Sequence, residues 1–302
     1  MSDARARRRS HSGRTGLGVT LLVATLGSAC GDDATMASGT GSGSTTGSTT
    51  GSTSTSTEST SADPSSSSTT EPTGCWREVE GDLFVAEDSN LDELSDLMSV
   101  SGTLYIAIGN QPREDLSFLG CLGRVGSLHL EASEHLRSTA GMAQLSELPW
   151  LEVSGYSSLS AIEGLDLLTE IGTIVIQEGH AIELIDLPTI RSVKHLSIGE
   201  CSWGGGAPAP EPPGPLTSLG GFASLESLEG VSVYGQPSLV DVSVLDALIA
   251  NGAPPPTSAS FWGNVSLAHD EIVMKLEALG VTDYYLCGNL GDAEPCDCPP
   301  TG

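Results

Sequence analysis

From residue 83 onward, apolar side chains return along this chain at fixed offsets. An aliphatic position is followed by another two residues later and a third eight residues later, as in Leu128/Leu130/Leu136, Leu151/Val153/Leu159, Ile174/Ile176/Ile182, Val231/Val233/Leu239 and Ala259/Phe261/Leu267. Leu83/Val85/Leu91 fits the same template, while Leu104/Ile106 reaches Leu116 and Leu196/Ile198 reaches Leu216 only after extra residues. With Tyr284/Leu286 the starts fall at 83, 104, 128, 151, 174, 196, 231, 259 and 284. An alternation of two places the zero and +2 side chains on one face of a short strand, leaving +1 and +3 on the other. Beyond +8 the apolar residues advance by threes, as in Leu91-Leu94-Leu97-Val100, Leu159-Ile162-Leu165-Leu168-Ile171 and Leu239-Val242-Leu245-Leu248. That step predicts 3₁₀-like or irregular return arcs. His269 to Leu279 reads instead as an α-helix closed by Gly280, its acidic start favourable to the helix dipole.

One such coil cannot bury its own apolar face, so successive strands are expected to stack into a parallel sheet around a shared interior. The fold class predicted is an α/β solenoid, a right-handed coil with a parallel sheet of short strands, spanning residues 75–302 and preceded by a disordered linker. The pattern Leu148-x-x-Leu151-x-Val153-x-x-Tyr156-x-x-Leu159 resembles leucine-rich repeats, and the coil length and loose consensus are most similar to the receptor L-domain branch. The buried Asn or Cys that this family places at +5 is matched by Cys201, Asn264 and Asn289, with Asp88, Gly109, Ser133, Tyr156, Gly179 or Gln236 elsewhere. The resemblance therefore implies an irregular L domain rather than a regular asparagine-laddered horseshoe.

The N-terminus carries an address. Arg5, Arg7, Arg8, Arg9 and Arg14 precede the apolar run Leu17 to Leu26 and the small residues Gly27-Ser28-Ala29, the layout of an export signal over residues 1–29 and too short to span a bilayer. The Leu-Gly-Ser-Ala-Cys segment ending at Cys30 resembles the lipobox of bacterial lipoproteins, which implies acylation of Cys30 and a membrane anchor in the cell envelope, at the outer membrane or cell surface. Ordinary cleavage near Ala29 with Cys30 as a spare thiol is the alternative, and a twin-arginine export route is a weaker variant. From Ser38 to Ser61 every residue except Glu58 is Ser, Thr or Gly, so residues 30–74 are expected to form a linker without a core. Those 44 residues after the anchor (31–74) reach about 150 Å when extended.

Charge narrows the partners. Of the 12 Lys and Arg, five sit in the signal, leaving 7 against 38 of the 39 Asp and Glu, a net of −31 over residues 31–302. Such a surface repels a phosphate backbone, so no nucleic-acid partner is expected. Setting Cys30 aside, six Cys remain, suited to disulfides after export: Cys75, Cys121, Cys201, Cys287, Cys296 and Cys298, with fifteen possible pairings and a capping role at the coil ends. No metal and no cofactor are expected. The Cys296-Asp297-Cys298 spacing departs from zinc knuckles, and no calcium loop is present. His129, Glu131 and Glu152 form a polar cluster on the template but lack a nucleophile or oxyanion device, so no catalytic residue is assigned. The outward positions include Tyr105, His129, Glu131, Glu152, Gln177, Tyr234, Trp262 and Tyr285, a mixture of aromatic and acidic groups suited to sugars or apolar protein anchors. These features predict a non-enzymatic binding or adhesion module for an envelope protein or glycan. The alternatives are a structural surface spacer and a polysaccharide-acting β-helix enzyme.

Overall fold

Each predicted strand start is a rung of one ladder. The computed structural model describes residues 74–131, 133–155, 158–177, 181–199 and 214–292. Within it, short strands β1 (Arg77–Val79), β2 (Leu83–Ala86), β3 (Leu97–Ala107), β4 (Arg124–Leu130) and β5 (Leu148–Val153) are followed by β6 (Ala161–Ile162), β7 (Glu170–Ile176), β8 (Leu184–Ile185) and β9 (Ser192–Ile198). The chain continues through β10 (Ser227–Tyr234), α1 (Ser243–Ala250), β11 (Ser258–Trp262), α2 (His269–Leu279) and β12 (Tyr284–Cys287). Ten strands make one sheet in the order β1-β3-β4-β5-β7-β9-β10-β11-β12, with β2 pairing β3. Every strand pair in it is parallel.

The register joins Leu83, Leu104, Leu128, Leu151, Ile174, Leu196, Val231, Ala259 and Tyr284 as successive partners. The zero and +2 side chains of the second to eighth coils, and the apolar residues that open their return arcs, are buried in a single core. Both ends depart from that pattern: Leu83 is half-buried against the core, and Tyr284 on the last strand stays 37% exposed. A second, thinner ladder runs through the return arcs, from Ser138–Ala161 and the β6–β8 pair to Asp186–Gly221 and Ser218–Asp241. The third to seventh coils thus hydrogen-bond their neighbours along two lines, which satisfies backbone groups that a lone arc would leave unpaired.

Three details differ from the sequence expectation. The strands begin earlier than predicted, so that Val125, Leu148, Ile171, Val193 and Leu228 are buried strand residues rather than parts of an arc. Two consecutive outward residues then separate them from the zero position, and the strand turns a corner there. Gly126 and Gly172 occupy that corner, where a Cβ would lie 2.6 Å from the Ser101 carbonyl oxygen and 2.5 Å from that of Pro149.

The second difference is the Leu239–Leu248 arc, which forms helix α1 instead of a 3₁₀ arc. Val244, Leu245 and Leu248 are buried, a spacing that one side of an α-helix supplies and a strict three-residue step hides. Leu91–Leu94 and Ser117–Leu119 do adopt 3₁₀ turns. The third difference concerns asparagine at +5, which forms a short ladder at one end: buried Asn264 donates to the Val233 carbonyl and to Asn289 Oδ1, and Asn289 donates to the Phe261 carbonyl. Helix α2 follows the sequence reading and ends at Gly280 in the left-handed conformation.

Cys75 and Cys121 form a disulfide with a Cα separation of 5.2 Å, tying the segment before β1 to the end of the second arc. It spans 46 residues of sequence, so it restricts the unfolded chain across the first coils. Cys287 is disulfide-bonded as well. The proposed roles of Cys30, Cys201, Cys296 and Cys298, the signal, the linker up to residue 73 and the Trp203 to Pro213 insertion lie outside the described residues.

Helix α1 begins on a carboxylate and is fixed by a lysine. Asp241 Oδ1 accepts from the Ser243 N–H at 2.8 Å, while its Oδ2 accepts from the Ser218 and Ser243 hydroxyls. Burial pushes the Asp241 carboxyl up, but the Ser218 and Ser243 hydrogen bonds outweigh it and hold the group below its ordinary value. Lys275 on α2 reaches Asp246 on α1 and Glu271, each at 2.8 Å. Burial pulls its ammonium down, yet the hydrogen bonds to Asp246 and Glu271 leave it raised.

A lowered folded-state value means that Asp241 contributes stability above its unfolded value near 3.9, lost as pH falls through the folded value. Asp241→Asn is therefore expected to cost about 1 kcal/mol at pH 7, or a few degrees of Tm. The stabilities of variant and parent should converge as pH falls below about 4, which thermal denaturation by circular dichroism would follow. A constant gap down to pH 2 would show that the charge on Asp241 contributes nothing.

Candidate functional site

Because zero and +2 point into the core, the residues between and beside them line the open face of the sheet. The ladder turns the +1 positions into one continuous row: Phe84, Tyr105, His129, Glu152, Val175, Ser197, Ser232, Ser260 and Tyr285. Its first half is aromatic and then acidic. The Phe84 and Tyr105 rings stack with centroids 4.4 Å apart and planes within 2°, and Tyr105 meets the His129 ring at 5.2 Å in a tilted arrangement. His129 Nε2 lies 2.9 Å from Ser154 Oγ, and its Nδ1 is 3.9 Å from Glu152 Oε2. Trp150, one residue before the buried Leu151, donates its Nε1–H to the same Glu152 oxygen at 3.2 Å.

This end of the sheet is unusually apolar at its surface. Phe84 is 69% exposed and Trp150 40%, although both sit on regular strands with buried neighbours on the other face. Trp150 is held across the sheet surface by Glu152, and the residue paired with it on β7 is the small Thr173. Beside it, Pro149 and Glu147 line two open grooves of about 310 and 430 Å³ along the strand corner. Arg124 contributes to the first, and Glu170 and Lys194 to the second.

The structure divides the residues singled out in the sequence into two groups. Tyr105, His129 and Glu152 are consecutive members of the +1 row, and Glu131 lies two residues beyond His129 with its side chain exposed. Gln177 stands at the edge of this region, half-buried after β7. Tyr234 and Trp262 pair with each other in the C-terminal half, and Tyr285 pairs with Ser260. Small or aliphatic residues at Val175, Ser197 and Ser232 separate the two groups along the row. Trp262 is half-buried, with its indole nitrogen enclosed, so its ring is a weaker surface element than its sequence position suggests.

Two exposed aromatics of the first group were not among those candidates. Phe84 occupies +1 of the first coil, so the template already contained it. Trp150 occupies −1, which the same alternation carried one residue back from Leu151 places outward. A template read only from the zero position onward does not include it.

The group offers ring surfaces, a carboxylate and an imidazole, which suits recognition by stacking and hydrogen bonding. Among the described residues, no three His, Cys, Asp or Glu side chains converge as metal ligands. Among them, too, no helix is long and apolar enough to cross a membrane. No protein-family model, no curated protein and no solved structure matches this chain.

Proposed function

We propose that this chain is a lipid-anchored protein of the bacterial cell envelope whose folded part is a receptor L-domain-like solenoid that binds a protein or glycan partner without catalysing a reaction. The observation that carries the reading is the Phe84–Tyr105–His129–Glu152 row with Trp150 beside it. Large rings kept at the surface of a regular sheet, where small polar residues would serve folding equally well, mark a contact surface. In-register stacking of nine coil starts supports the solenoid, and the bonds of Asn264 and Asn289 to the Val233 and Phe261 carbonyls support the leucine-rich likeness. Cys30 supplies the anchor, and the Ser/Thr/Gly tract holds the binding face away from the bilayer.

The test uses the full chain. Trp150→Ala and Phe84→Ala should each weaken binding of the purified chain to isolated envelope by about fivefold while leaving its melting temperature unchanged, since each removes an exposed ring worth roughly 1 kcal/mol in a contact. Cys30→Ala should release the chain from the membrane fraction and abolish incorporation of labelled palmitate. Equal envelope binding by parent and both aromatic variants would refute the assigned surface, and undiminished palmitate labelling of Cys30→Ala would refute the anchor.

A further inference from the structure

The geometry points to a neutral, linear glycan as the ligand of this surface, lying across the strands from Phe84 to Trp150; this rests on the binding reading above and names its ligand class. Ring faces decide the placement. Tyr105 has Phe84 stacked on one side and His129 against the other, so it presents its edge and hydroxyl to solvent. Phe84 is different. Its strand β2 pairs only with β3, so its outer face is bare at the end of the sheet, and it is 69% exposed. Trp150 is the second accessible ring, at 40% exposure, with its indole fixed by the bond to Glu152 and small Thr173 as its paired neighbour.

Three strand spacings of ~4.8 Å separate β2 from β5, and two residues at ~3.3 Å offset Trp150 from the residue in register with Phe84, so the two ring positions stand about 16 Å apart, the length of about three hexose units. Between them lie the groups that read hydroxyls: Tyr105, His129 and Glu152. Glu152 Oε2 is engaged by Trp150, while Oε1 has no hydrogen-bond partner among the described residues and is left to accept from a ligand hydroxyl. The rings bind the apolar faces of sugars at both ends, and the carboxylate and imidazole fix the orientation between them.

Charge selects among glycans. With 7 basic against 38 acidic side chains over residues 31–302, the chain repels uronic-acid or phosphate polymers. A peptide ligand is the less favoured class here, because the open edge of the sheet at β2 is only 4 residues long and the strands of Tyr105, His129, Trp150 and Glu152 are paired on both sides, so the surface is a sheet face rather than an edge.

The test measures binding of the full oxidised chain to envelope that is untreated, periodate-oxidised or protease-digested, with dextran, mannan and hydroxyethylcellulose as neutral competitors and alginate as the polyanion. Binding should be lost after periodate, survive protease and be competed by at least one neutral polymer but not by alginate. For the polymer that competes, its hexasaccharide should bind at least about tenfold more tightly than its disaccharide, because only the longer one spans both rings. Trp150→Ala should remove that length dependence, and Trp150→Phe should restore part of it. Loss of binding after protease but not periodate would overturn the glycan assignment and leave the binding module standing. Competition by alginate alone would overturn the charge argument, an equal affinity for both lengths would overturn the two-ring placement, and absence of envelope binding would overturn the binding reading itself.

Discussion

Replacing Asn264 with alanine should lower the unfolding free energy by about 3 kcal/mol, an unusually large effect for a residue that touches no ligand. The side chain is fully buried, with its Oδ1 accepting from the Gln236 N–H at 3.0 Å and its Nδ2 donating to the Val233 carbonyl at 3.0 Å. The Gln236 N–H lies past the end of β10, while Val233 pairs with Ile198 and Phe261 within the ladder. Truncation leaves the Gln236 donor without its partner, at roughly 1–3 kcal/mol, and also removes the bonds to Val233 and Asn289 and the packing of a buried side chain. Asn289→Ala should cost somewhat less, because it loses the bond to the Phe261 carbonyl but keeps its backbone bond to Asp292. The 3.3 Å contact between the two amides predicts a coupling of about 0.5–1 kcal/mol in a double-mutant cycle. Urea titrations of the four proteins would measure it. A cost below 0.5 kcal/mol for Asn264→Ala would mean that water or a rearranged arc replaces the amide.

The stacking order was legible from the chain because burial imposes a rule that few other constraints disturb. Leu128, Leu151, Ile174 and Leu196 each need apolar neighbours on both sides, and in a coil those neighbours can only be the same position one turn earlier and later. The strand corner was illegible for the opposite reason. Gly126, Pro149, Gly172 and Lys194 share the −2 position, and their common property is backbone geometry rather than hydropathy. What the corner reverses is −2 and −3, turning Pro149 outward and Leu148 inward where a flat alternation from Leu151 would place them the other way. The pairing of Cys75 with Cys121 was also beyond the sequence, because six cysteines permit fifteen pairings and only the position of the first coil relative to the second selects one. Asp241 shows a third kind of limit. Its place before α1 is a recognisable helix-start signal, but a three-residue aliphatic step overlies it, and what distinguishes the helix is the burial of Val244 beside Leu245.

Leu151→Ala and Ile174→Ala should each cost about 3–5 kcal/mol, the largest single-residue effects expected for this chain, because both side chains are fully buried at the middle of the ladder. The size follows from the loss of the side chain's transfer energy together with a cavity that the flanking rungs cannot close, being held in register by Leu128 on one side and Leu196 on the other. The more discriminating result is the pairing of mutations. Leu151 and Ile174 are direct ladder partners, so the double variant should fall short of additivity by about 1 kcal/mol as the two cavities merge. Leu151 and Phe261 lie on strands with three others between them in the sheet, and their losses should add within about 0.5 kcal/mol provided the whole stack still unfolds as one unit. A stack of coils contacts only its nearest neighbours, so coupling must decay with rung number rather than with sequence distance. Equal coupling for the near and the far pair, read from urea midpoints with unchanged m values, would mean that the interior behaves as one undivided core. In that case the row from Phe84 to Glu152 would share its stability with the distant Tyr234 and Trp262 end instead of resting on its own few coils.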